Sequence, residues 1–250
     1  MNTNVEKKIN LTVDWLREQV KLSGTEGILV GLSGGIDSSV VGFLIKKAFP
    51  QNSIGVIMPC KSNEKDRADA EEVAKTAGLE YIVVNLTDEQ DSLLNKVLSE
   101  LKKKNKNIES NERLTDANLR ARMRMSTLYT VANSLNYLVA GTDNAAELYT
   151  GYFTKYGDGG VDILPIANLT KREVYEWAKY LGVPQTVLDR PPSAGLWEGQ
   201  TDEDEMGTSY NMIDDLLEGK EIPEKHRKLI ERMHARTEHK RKMPPMPPKY

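Results

Sequence analysis

Short apolar runs alternate with amphipathic segments along most of the chain. In the first segment, four apolar residues recur at spacings of four, three and four, which predicts a helix over residues 5–22. Two apolar runs with little polar content, at 27–32 and 53–58, predict strands buried within a parallel sheet, and the runs at 81–84 and 137–141 predict a third and a fourth strand. A run at 163–166 predicts a fifth strand, which Pro165 restricts to a sheet edge or a strand end.

The amphipathic segments between and after these runs predict further helices. They lie at 38–48, 64–77, 88–104, 115–135, 170–181, 209–217 and 223–236. Thr115 is expected to cap one of them, and Thr170 forms a capping box with Glu173 at the start of another. Alternating strands and helices imply right-handed crossovers. The pattern therefore predicts an α/β fold, in which a Rossmann-like, doubly wound parallel sheet of about five strands is flanked by helices.

Two segments lack such periodicity. Residues 190–207 combine proline, glycine and acidic residues, which predicts a mobile loop that could act as a lid. The Pro-rich segment 243–250 is expected to be frayed. Since there is no internal repeat and the length suits one core, we expect residues 1–250 to form a single domain.

Charge and cysteine content exclude several classes of protein. The 34 Lys and Arg residues nearly balance 37 Asp and Glu residues, whereas a chain that coats nucleic acid usually needs a basic excess. The single cysteine, Cys60, excludes an intrachain disulfide and a multi-cysteine zinc site. No apolar stretch approaches the ~18 residues of a membrane span, and charges occupy the place of a secretory signal. We expect a soluble cytoplasmic protein without nucleic-acid or membrane partners.

The most informative motif is GLSGGIDS, residues 31–38, between the first strand and a helix. Adjacent glycines let the backbone approach a ligand, and the helix N-terminus attracts anions. Asp37 would repel a bare phosphate, so its presence implies a bridging cation, most simply Mg²⁺. The motif is neither a Walker A loop nor GxGxxG, and a flexible turn is the alternative reading. The residues expected to hold ATP phosphates are Gly31, Leu32, Ser33, Gly34, Gly35, Ile36, Asp37 and Ser38.

SGGIDS after a first strand resembles the pyrophosphate loop of the N-type ATP pyrophosphatases. Within that group, four later segments resemble the ammonia-dependent NAD synthetases. These segments are ANLRARMRM at 117–125, VAGTDNAAEL at 139–148, GYFTKYGDGGVDILPIANLTKREV at 151–174 and TEHKR at 237–241. The resemblance spans nearly the whole chain, and YFTKYGDGG is its most specific part.

The resemblance implies a reaction. Members of this family adenylate the carboxylate of nicotinic acid adenine dinucleotide (deamido-NAD) with MgATP and release pyrophosphate. Ammonia then displaces AMP and gives NAD. The family is homodimeric, with substrate sites at the interface. Because only 30 residues precede Gly31, we expect no glutamine-hydrolysing domain and therefore ammonia as the nitrogen source. The alternatives are another N-type pyrophosphatase ligase, acting on a different carboxylate or base, and a regulatory module with an inactive loop.

The resemblance also assigns residues. Asp37 and Glu147 are expected to bind Mg²⁺, and Ser33, Asp37 and Asp158 to be catalytic. Asp158 would guide ammonia or accept its proton, although an aspartate that merely stabilises a turn is equally expected. The ATP contacts outside the loop are Met58, Thr142, Lys171 and Ser193. The deamido-NAD contacts are Arg122, Tyr129, Lys155, Asp162, His239 and Lys240.

Some of these residues also have simpler readings. Tyr129, which the resemblance places in the partner subunit's substrate pocket, could equally pack between helices. Arg120 and Arg124 are as well explained by a solvated helix face as by a ligand. Cys60 is read as a packing residue.

Overall fold

The computed structural model describes residues 3–106, 109–192 and 201–249. Its centre is a four-stranded parallel sheet in the order β3-β2-β1-β4. The strands are β1 Gly27–Gly31, β2 Ser53–Ile57, β3 Glu80–Val83 and β4 Tyr137–Ala140. The predicted parallel α/β fold is confirmed.

Twelve α-helices and one 3-10 turn surround the sheet in the described part of the chain. The helices are α1 Thr3–Ser23, α2 Ile36–Ala48, α3 Glu64–Ala77, α4 Thr87–Lys103, α5 Glu112–Leu135, α6 Ala145–Thr150, α7 Lys171–Leu181, α8 Gln185–Leu188, α9 Asp202–Met206, α10 Tyr210–Leu217, α11 Glu224–Arg236 and α12 Glu238–Arg241, and the 3-10 turn is Glu109–Asn111. None of these helices is long and apolar enough to cross a lipid bilayer.

The order of the strands determines where a ligand can bind. The chain runs from β1 outward to β2 and β3, and then returns to add β4 on the other side of β1. The loops that follow β1 and β4 therefore leave the same edge of the sheet in opposite directions and open a crevice between them. The SGGIDS and GTDNAAE motifs follow these two strands. The topology thus brings the two most informative motifs together.

The central strands β1 and β2 are buried on both faces, as their apolar runs predicted, whereas the edge strand β3 is mostly exposed. Ile28 and Val30 pack with α1, α2, α3 and α7 in the larger core, whereas Leu29 packs toward α5 on the other face. The side chains of α1 that were predicted to share one stripe all lie in the larger core. Helices on both faces are what a doubly wound sheet requires.

The sheet has four strands in the described residues, not about five. At the place of the fifth, only an isolated bridge joins Ile163 to Ala140. Pro165, two residues later, has no N–H to donate to a ladder, and turns follow directly. The prediction that Thr115 caps α5 is also wrong, because this helix already begins at Glu112.

Within the segment predicted to be an irregular loop, residues 202–206 form α9 instead. Thr201 caps this helix by accepting a hydrogen bond from the Asp204 N–H, and Gly207 ends it in the left-handed conformation. The acidic residues that suggested an irregular loop stand in the first turn of α9, where they stabilise a helix dipole. The predicted mobile lid remains a prediction, since residues 193–200 lie outside the described residues.

Candidate active site

A cavity of about 740 Å³ opens where the loops after β1 and β4 diverge. It is lined by residues from both loops, by Lys171 at the start of α7 and by Lys240 from α12. The structure brings the following predicted site residues to its wall: Gly31, Leu32, Ser33, Gly35, Ile36, Asp37, Ser38, Met58, Thr142, Glu147, Asp158, Lys171 and Lys240. Ser193 lies outside the described residues.

The SGGIDS loop has the conformation of an anion cradle. Gly34 has a φ of +80°, and a Cβ on it would lie 2.7 Å from the carbonyl oxygen of Asp66, so no other residue fits there without a shift. Gly35 is the N-cap of α2 and has no side chain to occupy the N–H groups of the first turn. The hydroxyls of Ser33 and Ser38 lie 3.0 Å apart beside this terminus. Free N–H groups, hydroxyls and a helix dipole all favour a bound phosphate.

The two predicted metal ligands face each other across a lysine. The Lys171 ammonium lies 2.6 Å from Asp37 Oδ2 and 3.4 Å from Glu147 Oε1. Asn144 donates from its side-chain amide to Asp37 Oδ1 at 2.9 Å, and it caps α6 in a capping box with Glu147. Although burial opposes the charge on Lys171, the two carboxylates raise the pKa of its ammonium group. The site therefore holds a permanent positive charge between two carboxylates.

The donor set fits Mg²⁺. This ion prefers hard oxygen ligands and commonly takes one or two protein carboxylates together with substrate phosphates. Burial and the nearby Asp37 charge raise the pKa of Glu147, so the two carboxylates repel each other and gain from a shared cation. No group of three or more potential metal-ligating side chains occurs in the described ranges, so the remaining ligands of an ion would have to come from a substrate or water.

Tyr210 is a residue of this site that sequence reasoning missed. Its hydroxyl lies 3.0 Å from both Glu147 Oε1 and Asp202 Oδ2, and its ring lies 4.5 Å below the Lys171 ammonium. It therefore holds Glu147 in place and connects α9 and α10 to the carboxylate centre. A lone tyrosine at the start of a predicted helix gives no signal of such a role. Asn144 did give one, because Asn144 and Glu147 have the spacing of a capping box.

Asp158 lies in a tight turn and its side chain is exposed. Its Oδ1 accepts a hydrogen bond from the Thr154 N–H at 3.0 Å, which is the turn-stabilising role that sequence reasoning left open. The side chain also lines the cavity. Lys240 donates to the carbonyl oxygens of Gly151 and Phe153 nearby. The structure thus supports the turn role and leaves the role toward ammonia as a proposal.

The other predicted deamido-NAD contacts are not among the residues that line the cavity. Instead they contact one another: the Tyr129 hydroxyl donates to Asp162 Oδ1 at 2.8 Å, and the Lys155 ammonium donates to the His239 carbonyl at 2.5 Å. Asp162 Oδ2 also accepts from the Val139 N–H at 2.8 Å. The Arg122 guanidinium donates to the Lys155 carbonyl oxygen at 3.4 Å. These contacts are sufficient to explain Tyr129 and Asp162 structurally.

The solvated-face reading of Arg120 and Arg124 is wrong. Arg124 donates to the Met58 carbonyl oxygen at 3.2 Å and to the Ser62 hydroxyl at 3.1 Å, and it lines the cavity. Arg120 is buried and pairs with Asp116. Cys60 is fully buried and burial raises the pKa of its thiol, as expected of a packing residue.

Arg190 is a further residue that sequence reasoning missed. Its guanidinium lies 2.5 Å from Asp66 and 3.3 Å from Asp69, both on α3 beside the phosphate loop. It therefore ties the beginning of the segment 190–207 to the wall of the cavity. An arginine before two prolines carries no sequence signal for this contact.

Comparison with known proteins identifies the family. The family model for NAD synthase matches residues 8–244. The chain belongs to the NAD synthase family. The NH(3)-dependent NAD(+) synthetase of Alkaliphilus oremlandii (strain OhILAs) is 63% identical over 247 residues, which are 99% of each chain. The parallel sheet, the SGGIDS loop and the Asp37–Lys171–Glu147 centre are thus features of a NAD synthase.

Two solved structures of the same kind superimpose on this NAD synthase. The NMN synthetase from Francisella tularensis has a TM-score of 0.90 and 40% identity, covering 97% of this chain and 98% of the other. The NH3-dependent NAD synthetase from Campylobacter jejuni, solved in complex with the nitrate ion, has a TM-score of 0.75 and 30% identity, covering 98% and 99%. The whole described chain therefore takes the fold of these enzymes.

Proposed function

We propose that this chain catalyses the ATP-dependent amidation of deamido-NAD by ammonia, which yields NAD, AMP and pyrophosphate. The observation that carries the proposal is the convergence of an anion-binding loop, a carboxylate pair and a buried lysine on one cavity. The names of the curated relatives support ammonia as the nitrogen source and NAD as the product.

The first step activates the nicotinate carboxylate. A carboxylate oxygen attacks the α-phosphorus of ATP, the bond to the bridging oxygen breaks, and pyrophosphate leaves. The loop at 31–38 holds the leaving phosphates with its N–H groups and hydroxyls, and the Lys171 ammonium offsets the charge that they gain. Activation is needed because an unactivated carboxylate would have to expel an oxide, whereas AMP is a good leaving group.

Asp37 and Glu147 are the residues that would hold Mg²⁺. When bound, such an ion neutralises charge on the phosphates as the bond to the leaving group breaks. Tyr210 and Asn144 position the two carboxylates for this role, through the 3.0 Å and 2.9 Å contacts already described.

The second step forms the amide. The nitrogen of ammonia attacks the activated carboxyl carbon, the carbon–oxygen bond to AMP breaks, and AMP leaves with the electron pair. Asp158 lines the cavity and is our candidate to receive ammonia or its proton. Arg190 lines the cavity and binds Asp66 on α3, and we propose that it helps to keep water from the adenylate.

A second candidate substrate is nicotinic acid mononucleotide. It is favoured by one observation, the high structural similarity to the NMN synthetase from Francisella tularensis. The two substrates share the nicotinate carboxylate and its nucleotide half, so the adenylation chemistry would be the same. They differ only in the adenylate half of the dinucleotide, which has to be recognised outside the reacting centre.

We also infer that the chain works as a homodimer. An α4 face, formed by Leu93, Val97 and Leu101 at helical spacing, is 37–45% exposed, and Ile82 and Val83 on the edge strand β3 are each 37% exposed. Apolar residues in such a continuous stripe are typical of subunit interfaces. A dimer would also explain why Arg122 and Tyr129 do not line their own cavity, because they could contact substrate in the partner's.

We further infer that the reaction takes place in the cytoplasm. The single cysteine and the absence of any disulfide partner for it suit a reducing compartment. The proposed substrates ATP and dinucleotides are consistent with this location.

The proposed function is tested by incubating the protein with MgATP, ammonium and either deamido-NAD or nicotinic acid mononucleotide, and by following AMP together with the amide product. We expect NAD and AMP in equal amounts, with little product when glutamine replaces ammonium. A larger kcat/KM for the mononucleotide would favour the second candidate. AMP without either amide would refute both.

A further inference from the structure

The phosphate loop lies against two acidic residues of α3. A Cβ on Gly34 would lie 2.7 Å from the carbonyl oxygen of Asp66 and 3.0 Å from the Cβ of Asp69, so loop and helix are in close contact here. Asp66 also lines the cavity, and Asp69 is buried. Two carboxylates beside the loop repel a bound polyphosphate unless a cation offsets them, because charge interactions are strong away from bulk water. The place where an anion is expected to bind is therefore also a place of fixed negative charge.

The Arg190 guanidinium pairs with both carboxylates. Its Nη2 lies 2.5 Å from Asp66 Oδ1, and its Nη1 lies 3.3 Å from Asp69 Oδ2. Arg67, which stands between the two aspartates in the sequence, donates to Glu71 instead, at 2.9 Å. The side chains of Arg190, Asp66 and Asp69 are 21%, 16% and 7% exposed, so solvent screens these ion pairs only partly. Loss of the arginine would leave two carboxylates uncompensated beside the phosphate loop.

The backbone that carries Arg190 is anchored in the larger core. Val187 of α8 is 1% exposed, and its carbonyl oxygen accepts a hydrogen bond from the Arg190 N–H at 3.3 Å. The Thr186 hydroxyl donates to Glu72 Oε2 on α3 at 3.1 Å, which is a second contact between α8 and α3. The Arg190 backbone is therefore held beside α3 without the help of a ligand.

We propose that Arg190 acts on the phosphate loop through Asp66 and Asp69, as a positioning residue. It holds the two carboxylates on α3 and offsets their charge, so that the loop can take the pyrophosphate half of ATP. The inference rests on the proposed function, because ATP is the ligand of the loop in that reaction. Both terminal nitrogens of the guanidinium already donate to aspartates, which favours this role over a direct contact between Arg190 and ATP.

The first test measures binding without chemistry. The probe is α,β-methylene-ATP with Mg²⁺, because its α–β linkage is not cleaved, and the dissociation constant is measured by calorimetry. We expect Arg190→Gln to raise this constant at least about tenfold, since two uncompensated charges then repel the phosphates. The control Arg17→Gln removes an arginine of α1 that is 51% exposed and pairs with Asp14, and it should bind the probe within about twofold of the wild type.

Two further variants separate the charge of the aspartates from a direct contact with ATP. The triple variant combines Arg190→Gln with Asp66→Asn and Asp69→Asn, so the cation and both carboxylates are absent together. We expect its affinity for the probe to return to within about threefold of the wild type. The double variant Asp66→Asn with Asp69→Asn keeps the arginine without its partners, so we expect it to bind the probe at least as tightly as the wild type.

The first chemical step gives an independent readout. Exchange of labelled pyrophosphate into ATP, measured with deamido-NAD and without ammonium, follows adenylation alone. We expect Arg190→Gln to raise the KM for ATP in this exchange at least about tenfold and to leave the KM for deamido-NAD within about twofold, because the two carboxylates lie beside the phosphate loop. A general loss of structure would change both constants.

Three results would overturn the proposal. The first is a dissociation constant of Arg190→Gln within about twofold of the wild type. The second is a triple variant that binds the probe as weakly as Arg190→Gln, which would make Arg190 a direct ligand of ATP. The third is a loss of affinity in the double variant, which also decides the question if Arg190→Gln does not fold. Failure of the proposed function is distinguishable, because the wild type itself would then form no NAD from MgATP, deamido-NAD and ammonium.

Discussion

At the scale of single residues, the site depends on one buried cation. The Lys171 side chain is 4% exposed and lies between Asp37 and Glu147, which are 17% and 13% exposed. Its backbone N–H donates to Asp214, and the Thr170 capping box sets the start of its helix. Removing one partner of such a buried group leaves uncompensated charge, whereas exposed ion pairs contribute little.

The first prediction concerns Lys171→Met. We expect a loss of about 3–5 kcal/mol in the free energy of unfolding, since two carboxylates would lose their common partner. Pyrophosphate exchange should fall by at least about a hundredfold, the scale seen when one preorganised charge-stabilising donor is removed. Denaturant unfolding and the exchange assay measure the two effects.

The control for this variant is Lys228→Met. Lys228 pairs with Glu224 at 3.3 Å, but both side chains are more than 60% exposed. This change should leave stability and exchange unaltered. If Lys171→Met behaved like Lys228→Met, the proposed role of the buried lysine would be refuted.

At the scale of elements, the phosphate loop depends on backbone conformation as much as on side chains. Gly34 and Gly24 both have positive φ, at +80° and +70°. They differ in their surroundings, because a Cβ on Gly34 would meet the Asp66 carbonyl oxygen at 2.7 Å, whereas a Cβ on Gly24 would meet nothing within 4 Å. Substituting each glycine by alanine therefore distinguishes the free-energy cost of a positive φ, which both share, from the cost of the close contact at Gly34 alone.

The second prediction concerns Gly34→Ala and its control Gly24→Ala. Both should lose about 1 kcal/mol because alanine is strained at positive φ. Gly34→Ala should in addition displace α3 or the loop, so we expect a larger loss of stability and a strongly raised KM for ATP. Thermal unfolding and ATP titration test this. Equal effects of the two substitutions on KM would show that the loop does not need its close packing against α3.

Elements with periodic apolar residues were predictable from the sequence, and those set by tertiary contacts were not. Three predicted elements were confirmed because their apolar residues recur with the period of the element: the strands at 27–32 and 137–141 and the helix at 5–22. The fifth strand was wrong because its apolar run makes only one bridge, at Ile163. The short helix α9 was missed because a single turn has too few residues to show a period.

Some residues of the candidate site were likewise predictable from the sequence, and others were not. The phosphate loop and Glu147 were predictable, since the glycines, hydroxyls and carboxylate carry their chemistry in their residue types. Tyr210 and Arg190 were not, because their roles arise from contacts with residues 63 and 121–124 positions away. The contacts of Arg124 were not predictable either, because its partners belong to the loop after β2.

At the scale of the whole molecule, the proposed dimer should join two exposed apolar surfaces. The third prediction is that the wild type sediments as a dimer at micromolar concentration and that Val97→Lys, in the centre of the α4 face, shifts it to a monomer. A charge in an apolar interface loses its hydration without gaining a partner. Leu11→Lys on α1, where Leu11 is 61% exposed, is the control and should remain dimeric. A monomeric wild type would contradict the proposal.

The central claim is that the nicotinate carboxylate is adenylated before ammonia attacks. Deamido-NAD labelled with ¹⁸O in this carboxylate tests it most directly, because the bonds formed and broken determine where the label goes. The account predicts that one labelled oxygen appears in the phosphate of AMP, with none in pyrophosphate. Label in pyrophosphate or in inorganic phosphate, or AMP without label while NAD is formed, would contradict the account.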